Sequence, residues 1–178
     1  MNIYLVRHAQ VEERYQGRYN GDNDISLSTK GIKQAYKLGQ KLSHIRFNIV
    51  YSSDLKRARE SLQEFHIKNS KIIYTKKLRE KSWGIHEGMS FEEIQNSGIK
   101  YKNFEQWIEE LDGEDIKSYQ TRVIDYFNTI ILKNKVDNIL VVTHAGVIKT
   151  FLGYKRGLSL EDAFGIKLEY GEYIKLTF

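Results

Sequence analysis

The chain has 178 residues, 40% hydrophobic and 12% aromatic, a globular composition that excludes disorder beyond short loops. Its 28 Lys and Arg exceed its 23 Asp and Glu by five, too few to mark a nucleic-acid surface, and no basic stretch is interleaved with stacking aromatics. Zero Cys rules out disulfides, thiol nucleophiles and cysteine-held metals, and zero Pro removes prolyl isomerisation as a slow refolding step.

In chain order, residues 2–6 form the first β-type run. Its apolar part, residues 3–6, is too short for a signal peptide or a membrane span, which predicts a cytoplasmic protein without a membrane partner. Ser28 is placed to cap a helix whose Ile32, Ala35, Leu38 and Leu42 recur every three or four residues. A second strand over 48–52 precedes a helix with Leu55, Ala58, Leu62 and Phe65 on one side, and a third strand covers 71–74. Ser90 and Glu93 have the spacing of a capping box. Ile116, Tyr119, Val123, Phe127, Ile130 and Ile131 then line one stripe of a helix of about four turns. Strands over 138–143 and 173–177 complete the pattern. His44 and His66 are expected on solvent faces of helices, and Lys68, Lys71, Lys76 and Lys77 are expected to be solvated.

Strands separated by helices of ten or more residues require crossover connections. The predicted class is therefore α/β, three layers (α/β/α) around a mostly parallel sheet, in one domain over residues 1–178. Such sheets bind ligands beyond the carboxyl ends of their strands. There His8 ends the first strand, Arg57 follows the second, and His144 ends the fourth. Gathering these groups with Arg7 costs repulsion unless an anion sits among them, and a phosphate dianion meets that need.

Four segments carry a resemblance. Arg7-His8-Ala9-Gln10 resembles the R-H-G-E/Q motif of the histidine phosphatase superfamily, and Gly17-Arg18, Gly21, Asp24, Leu27, Gly31 and Gln34-Ala35 continue that pattern. Ser52-Ser53-Asp54-Leu55-Lys56-Arg57-Ala58 resembles its S-S-x-L-x-R-A element. Leu78-Arg79-Glu80 with Trp83-Gly84 and Glu87-Gly88 resembles the acidic element, and Thr143-His144-Ala145-Gly146-Val147-Ile148 the last motif.

The resemblance implies a phosphoglycerate mutase-like fold and a phosphomonoesterase. His8 is then the nucleophile that carries the phosphoryl group, and Glu80 gives and later removes a proton. Arg7, Arg57 and a protonated His144 hold the phosphoryl oxygens. Gln10, Arg14, Arg18, Asn20, Gly21 and Ala145 extend the phosphate- and substrate-binding set. A small phosphorylated substrate is expected, with no metal, cofactor or nucleic acid, and the oligomeric state stays open. Neutral His8 must keep a proton on one ring nitrogen through a backbone carbonyl in the loop after it, so that the other can attack.

Several positions depart from the family pattern. Ala9 replaces a Gly, Val11 a Thr and Ser26 a Pro, while Arg14 takes the place of an Asn that contacts phosphate, leaving it either at the phosphate or in solvent. His86 stands where relatives carry Trp and is a candidate pocket residue. The compact length, the Arg18-Tyr19-Asn20-Gly21 turn and the stretch from Trp107 to Glu114 look similar to α-ribazole phosphatases, enzymes of cobalamin nucleotide assembly. Tyr15, Tyr19, Trp83 and Trp107 are candidates to stack the base, and Asp115 would set a negative charge near it. A phosphoglycerate mutase-type enzyme, a broad-specificity phosphatase and an inactive phosphate-binding module are the rival readings.

Overall fold

The computed structural model describes residues 1–67 and 70–178. Lys68 lies outside the described residues; Lys71, Lys76 and Lys77 are exposed. Strands β1 (Asn2–Arg7), β2 (Ile49–Ser53), β3 (Lys71–Thr75), β4 (Asn138–Thr143) and β5 (Tyr173–Thr177) form one sheet in the order β3-β2-β4-β1-β5. All neighbours are parallel except β5, which runs antiparallel to β1. The central strands β1 and β4 read as continuous apolar runs because helices cover both faces.

Alternation along these strands divides the core. Ile3, Leu5, Ile139 and Val141 face one helical layer, and Tyr4, Val6, Leu140 and Val142 face the other. The first layer contains α5 (Ile116–Tyr126) and α6 (Ala145–Arg156), with α3 (Phe91–Asn96), α4 (Phe104–Glu110) and α7 (Leu160–Gly165) packed at its margin. The second contains α1 (Thr29–Leu42) and α2 (Lys56–Gln63). This is the three-layer α/β/α arrangement.

Local chemistry explains the helix starts. Ser28 Oγ accepts from Gly31 N–H at the head of α1, and Ser90 and Glu93 form a reciprocal capping box on α3. The expected stripe of α1 is wrong at Ile32, which is 45% exposed. Gly31 and Gly39 lie on the buried face instead, because a Cβ there would stand 2.0 Å from Gln10 O and 2.5 Å from Glu64 O. The long helix is also interrupted. After Tyr126 the chain makes a π turn over Phe127–Ile131, and the changed rotation leaves Ile130 45% exposed while Phe127 and Ile131 stay buried. His44 and His66 are exposed, but both lie just beyond helix ends, His66 at φ 46°.

The register positions the site. Arg7 pairs with Thr143 across β1 and β4, so His8 and His144 leave the sheet side by side. After α7 the chain returns to this same end, where Arg7 N–H donates to Glu172 O and Gly171 N–H to His8 O. It then runs down as β5, which is why that strand is antiparallel. Among the described residues no helix is long and apolar enough to cross a membrane.

Candidate active site

A cavity of about 200 Å³ opens at the carboxyl end of the sheet. Of the expected catalytic and phosphate- or substrate-binding residues, it is lined by Arg7, His8, Arg18, Asn20, Arg57, Glu80 and Ala145. Gln10, Arg14, Gly21 and His144 do not line it. Gln10 is spent on Gln16 and Ser28, and Arg14 extends into solvent beside Glu12, which answers the position left open for it. His86 is buried away from the cavity, its Nδ1 accepting from Asp112 N–H.

His8 is 6% exposed and its Nδ1 lies 2.8 Å from Ala9 O. A carbonyl only accepts, so Nδ1 carries the proton and Nε2 keeps its lone pair. Burial pulls the His8 pKa well below the usual imidazole value, and the charges of Arg57 and Arg7 pull in the same direction against the Ala9 carbonyl. The imidazole is therefore neutral at pH 7. Ala9 brings no strain: its φ is not in the left-handed region, its N–H donates to Ser61 Oγ at 2.9 Å, and its methyl packs with Leu27 and Ala35.

Arg57 is 1% exposed and held by three carbonyls: its Nη1 donates to Asn23 O, and its Nη2 to Asn20 O and Gly21 O. Burial lowers its pKa to about 10, which leaves it charged at neutral pH. Its Nε–H donates to His144 Nδ1 at 3.2 Å. That nitrogen must therefore be unprotonated, which puts the His144 proton on Nε2, 2.9 Å from Ser53 Oγ. Burial, followed by the charge of Arg57, also lowers the His144 pKa well below its ordinary value. The expectation of a protonated His144 on the phosphate is thus not met in this arrangement. A neutral imidazole stands behind Arg57 instead, its ring centroid 5.1 Å from that of His8.

Arg7 donates through Nη1 to Leu168 O at 2.6 Å and lies 3.8 Å over the ring of Tyr170, while its buried Nε has no hydrogen-bond partner among the described residues. Glu80 lines the same cavity as Arg7 and Arg57. Its Oε2 accepts from Gly146 N–H at the head of α6, and its Oε1 from Tyr119 Oη–H at 2.7 Å and Lys81 N–H at 3.2 Å. The cavity thus combines an imidazole lone pair, the guanidinium groups of Arg7, Arg18 and Arg57 and a carboxyl group, a set suited to in-line phosphoryl transfer. Among the described residues, no group of three or more His, Cys, Asp or Glu side chains is placed to hold a metal ion.

Of the proposed stacking aromatics, Tyr19 and Trp83 line the cavity. Trp107 is 2% exposed and donates Nε1–H to Tyr19 Oη, while Tyr15 packs under Arg14; neither reaches the cavity. Asp115 is the exposed N-cap of α5, accepting from Ser118 N–H, and does not border the cavity. Tyr170, Tyr119 and Glu87 were not foreseen as site residues. Glu87 accepts backbone N–H groups from Gly21, Asp22 and Trp83, tying the Arg57-binding loop to the Glu80 loop. A signal existed for Glu87 alone, through the Glu87-Gly88 motif; the two tyrosines reach the site through tertiary packing.

Residues 3–178 match the family described as histidine phosphatase superfamily (branch 1). Phosphoserine phosphatase 1 of Hydrogenobacter thermophilus is 30% identical over 181 residues, covering 97% of this chain and 84% of the relative. The adenosylcobalamin/alpha-ribazole phosphatase of Escherichia coli is 23% identical, covering 96% of this chain and 87% of the relative. The alpha-ribazole phosphatase structure from Shigella flexneri superposes with a TM-score of 0.86 at 23% identity, over 98% of this chain and 89% of that one, a likeness of fold. With the family pattern running through the whole sheet and the phosphatase relatives matched along nearly its full length, this chain belongs to the histidine phosphatase superfamily, branch 1, and is a phosphoric monoester hydrolase.

Proposed function

We propose that the chain hydrolyses monoesters of small phosphorylated metabolites through a phosphohistidine at His8. The observation that carries this reading is the His8 tautomer: with Nδ1–H held by Ala9 O, the Nε2 lone pair is left to attack between Arg7 and Arg57. In the first step Nε2 bonds to phosphorus as the ester P–O bond breaks, and Glu80 passes a proton to the leaving oxygen. Oε2 is the oxygen to carry that proton, because Oε1 already accepts two hydrogen bonds and Oε2 one. Water then attacks phosphorus, Glu80 takes its proton, and the P–N bond returns its electron pair to Nε2. Arg57 and Arg7, which both line the cavity, offset the charge on the equatorial oxygens. His144 holds Arg57 in place.

This mechanism belongs to one domain over 1–178, working in the cytoplasm without metal or cofactor. Full activity after dialysis against a chelator is expected, and restoration by a divalent ion would contradict it. His8→Ala should abolish hydrolysis of para-nitrophenyl phosphate, and wild-type enzyme should trap an acid-labile, base-stable label on His8. A label on Ser53 or on an acidic residue would refute the mechanism.

For the substrate we propose α-ribazole 5′-phosphate, supported by Tyr19 and Trp83 on the cavity wall and by the relatives of that name. Phosphoserine is the second reading, favoured by the 30% identity to the Hydrogenobacter thermophilus enzyme. A kcat/KM for α-ribazole 5′-phosphate at least about tenfold above those for phosphoserine and 3-phosphoglycerate is expected, a difference of ~1.4 kcal/mol in transition-state binding. A preference for phosphoserine would move the assignment, and primer-dependent isomerisation of phosphoglycerate would make the chain a mutase.

A further inference from the structure

The mechanism asks Glu80 to present one particular oxygen to the leaving group, and a carboxyl group rotates freely unless something stops it. We propose that Tyr119, with Arg122 beside it on α5, is the positioning residue that aims Glu80, a role resting on the proton-donor reading of Glu80. Tyr119 is 0% exposed, and its hydroxyl donates to Glu80 Oε1 at 2.7 Å. Burial first, and then the neighbouring Glu80 charge, raise the pKa of this phenol well above its ordinary value. The hydroxyl therefore keeps its proton at neutral pH and acts as a donor there. With Oε1 held there, the opposite oxygen is directed to the head of α6, where Gly146 N–H meets it at 2.9 Å.

Arg122 secures the backbone of the same segment. Its Nη1 donates to Lys77 O at 2.9 Å and to Arg79 O at 3.1 Å, the carbonyls leading into Glu80. Its Nε and Nη2 are held by the two oxygens of Glu114 at 2.7 and 2.6 Å, so the guanidinium cannot swing away. Residues i and i+3 share a helix face, so α5 grips both the carboxyl group and the chain that carries it. A tyrosine serving packing alone would need only some acceptor for its hydroxyl; this one takes the carboxyl group that faces the cavity.

The test separates aiming from general damage by leaving-group dependence. Tyr119→Phe keeps the ring and removes one hydrogen bond. The variant should lose roughly tenfold in kcat/KM for phenyl phosphate, which needs proton donation, and less than about twofold for 2,4-dinitrophenyl phosphate, which does not. Vanadate inhibition should stay at the wild-type level, since Arg7 and Arg57 are untouched. Arg122→Gln should show the same selectivity by loosening the backbone instead, which guards against one variant folding poorly, and thermal unfolding of both checks the fold. Glu80→Gln is the reference. If it discriminates between the two esters while Tyr119→Phe and Arg122→Gln slow both equally, the positioning role is overturned and Glu80 keeps its own. If Glu80→Gln itself shows no discrimination, the proton-donor reading fails and takes this inference with it.

Discussion

Gly146→Ala concentrates the logic of the site in a single methyl group. Gly146 does not have a left-handed φ, so its backbone accepts alanine, and alanine favours a helix by about 1 kcal/mol over glycine. Its Cβ would nevertheless stand 2.2 Å from Glu80 Oε1, 2.8 Å from Glu80 Cδ and 2.8 Å from Tyr119 Oη. Non-bonded heavy atoms settle near 3.5 Å, so the carboxyl group must withdraw by roughly 1 Å. That movement breaks the bonds from Gly146 N–H at 2.9 Å and Tyr119 Oη–H at 2.7 Å. A displacement of ~1 Å in a reacting group costs on the order of 10²-fold in rate. Two hydrogen bonds at about 1 kcal/mol each, less the helix gain, leave a net destabilisation of only about 1 kcal/mol. The assay compares kcat/KM for phenyl and 2,4-dinitrophenyl phosphate alongside the thermal midpoint. A roughly hundredfold loss on the first ester with a small change in midpoint is expected. Near-wild-type turnover of phenyl phosphate would refute the placement of Glu80 as the donor.

Acid should destabilise the protein from about pH 6.5 downward, because unfolded His8 and His144 take up protons there that the folded state refuses. Each contributes up to ~1.4 kcal/mol per pH unit, ~2.7 for the pair, and denaturant unfolding showing no loss between pH 6.5 and 5.5 would contradict their depressed values. Glu87→Ala leaves three backbone N–H groups from two loops without their acceptor and should raise KM and weaken vanadate inhibition together, by about tenfold, as the carbonyl cradle of Arg57 relaxes. Phe151→Ala removes a ring stacked 4.0 Å from Phe127 in the dry core, and denaturant titration should show a loss of about 3–5 kcal/mol with the remaining active fraction turning over normally.

Much of the frame was legible in the residues themselves. The five strands follow from short β-branched and aromatic runs; β1 and β4 are the most apolar because an inner strand buried on both faces has little tolerance for polar side chains, whereas the edge strands β3 and β5 are partly exposed. Placing His8, Arg57 and His144 at one sheet edge needed only the rule that parallel strands end together, and the β1–β4 register does bring the two histidines alongside. Ser28 and Ser90 announced their helices by capping chemistry, which acts over three residues and so survives in a linear reading. What escaped was decided at a distance. Helix α6 is apolar around most of its girth, so it carries little periodicity. Ile32 looked like a core residue, yet close backbone approach gave that face to glycines. Arg14 points to solvent and Arg57 is held by three carbonyls from a loop more than thirty positions earlier. The protonation of His144 could not be read in advance, because it depends on which neighbour must donate; a guanidinium N–H aimed at Nδ1 leaves the imidazole only the role of acceptor there. Tyr119 belongs to both accounts: its spacing places it in the core stripe of α5, and only the packing of α5 against the Glu80 loop turns its hydroxyl to the carboxyl group.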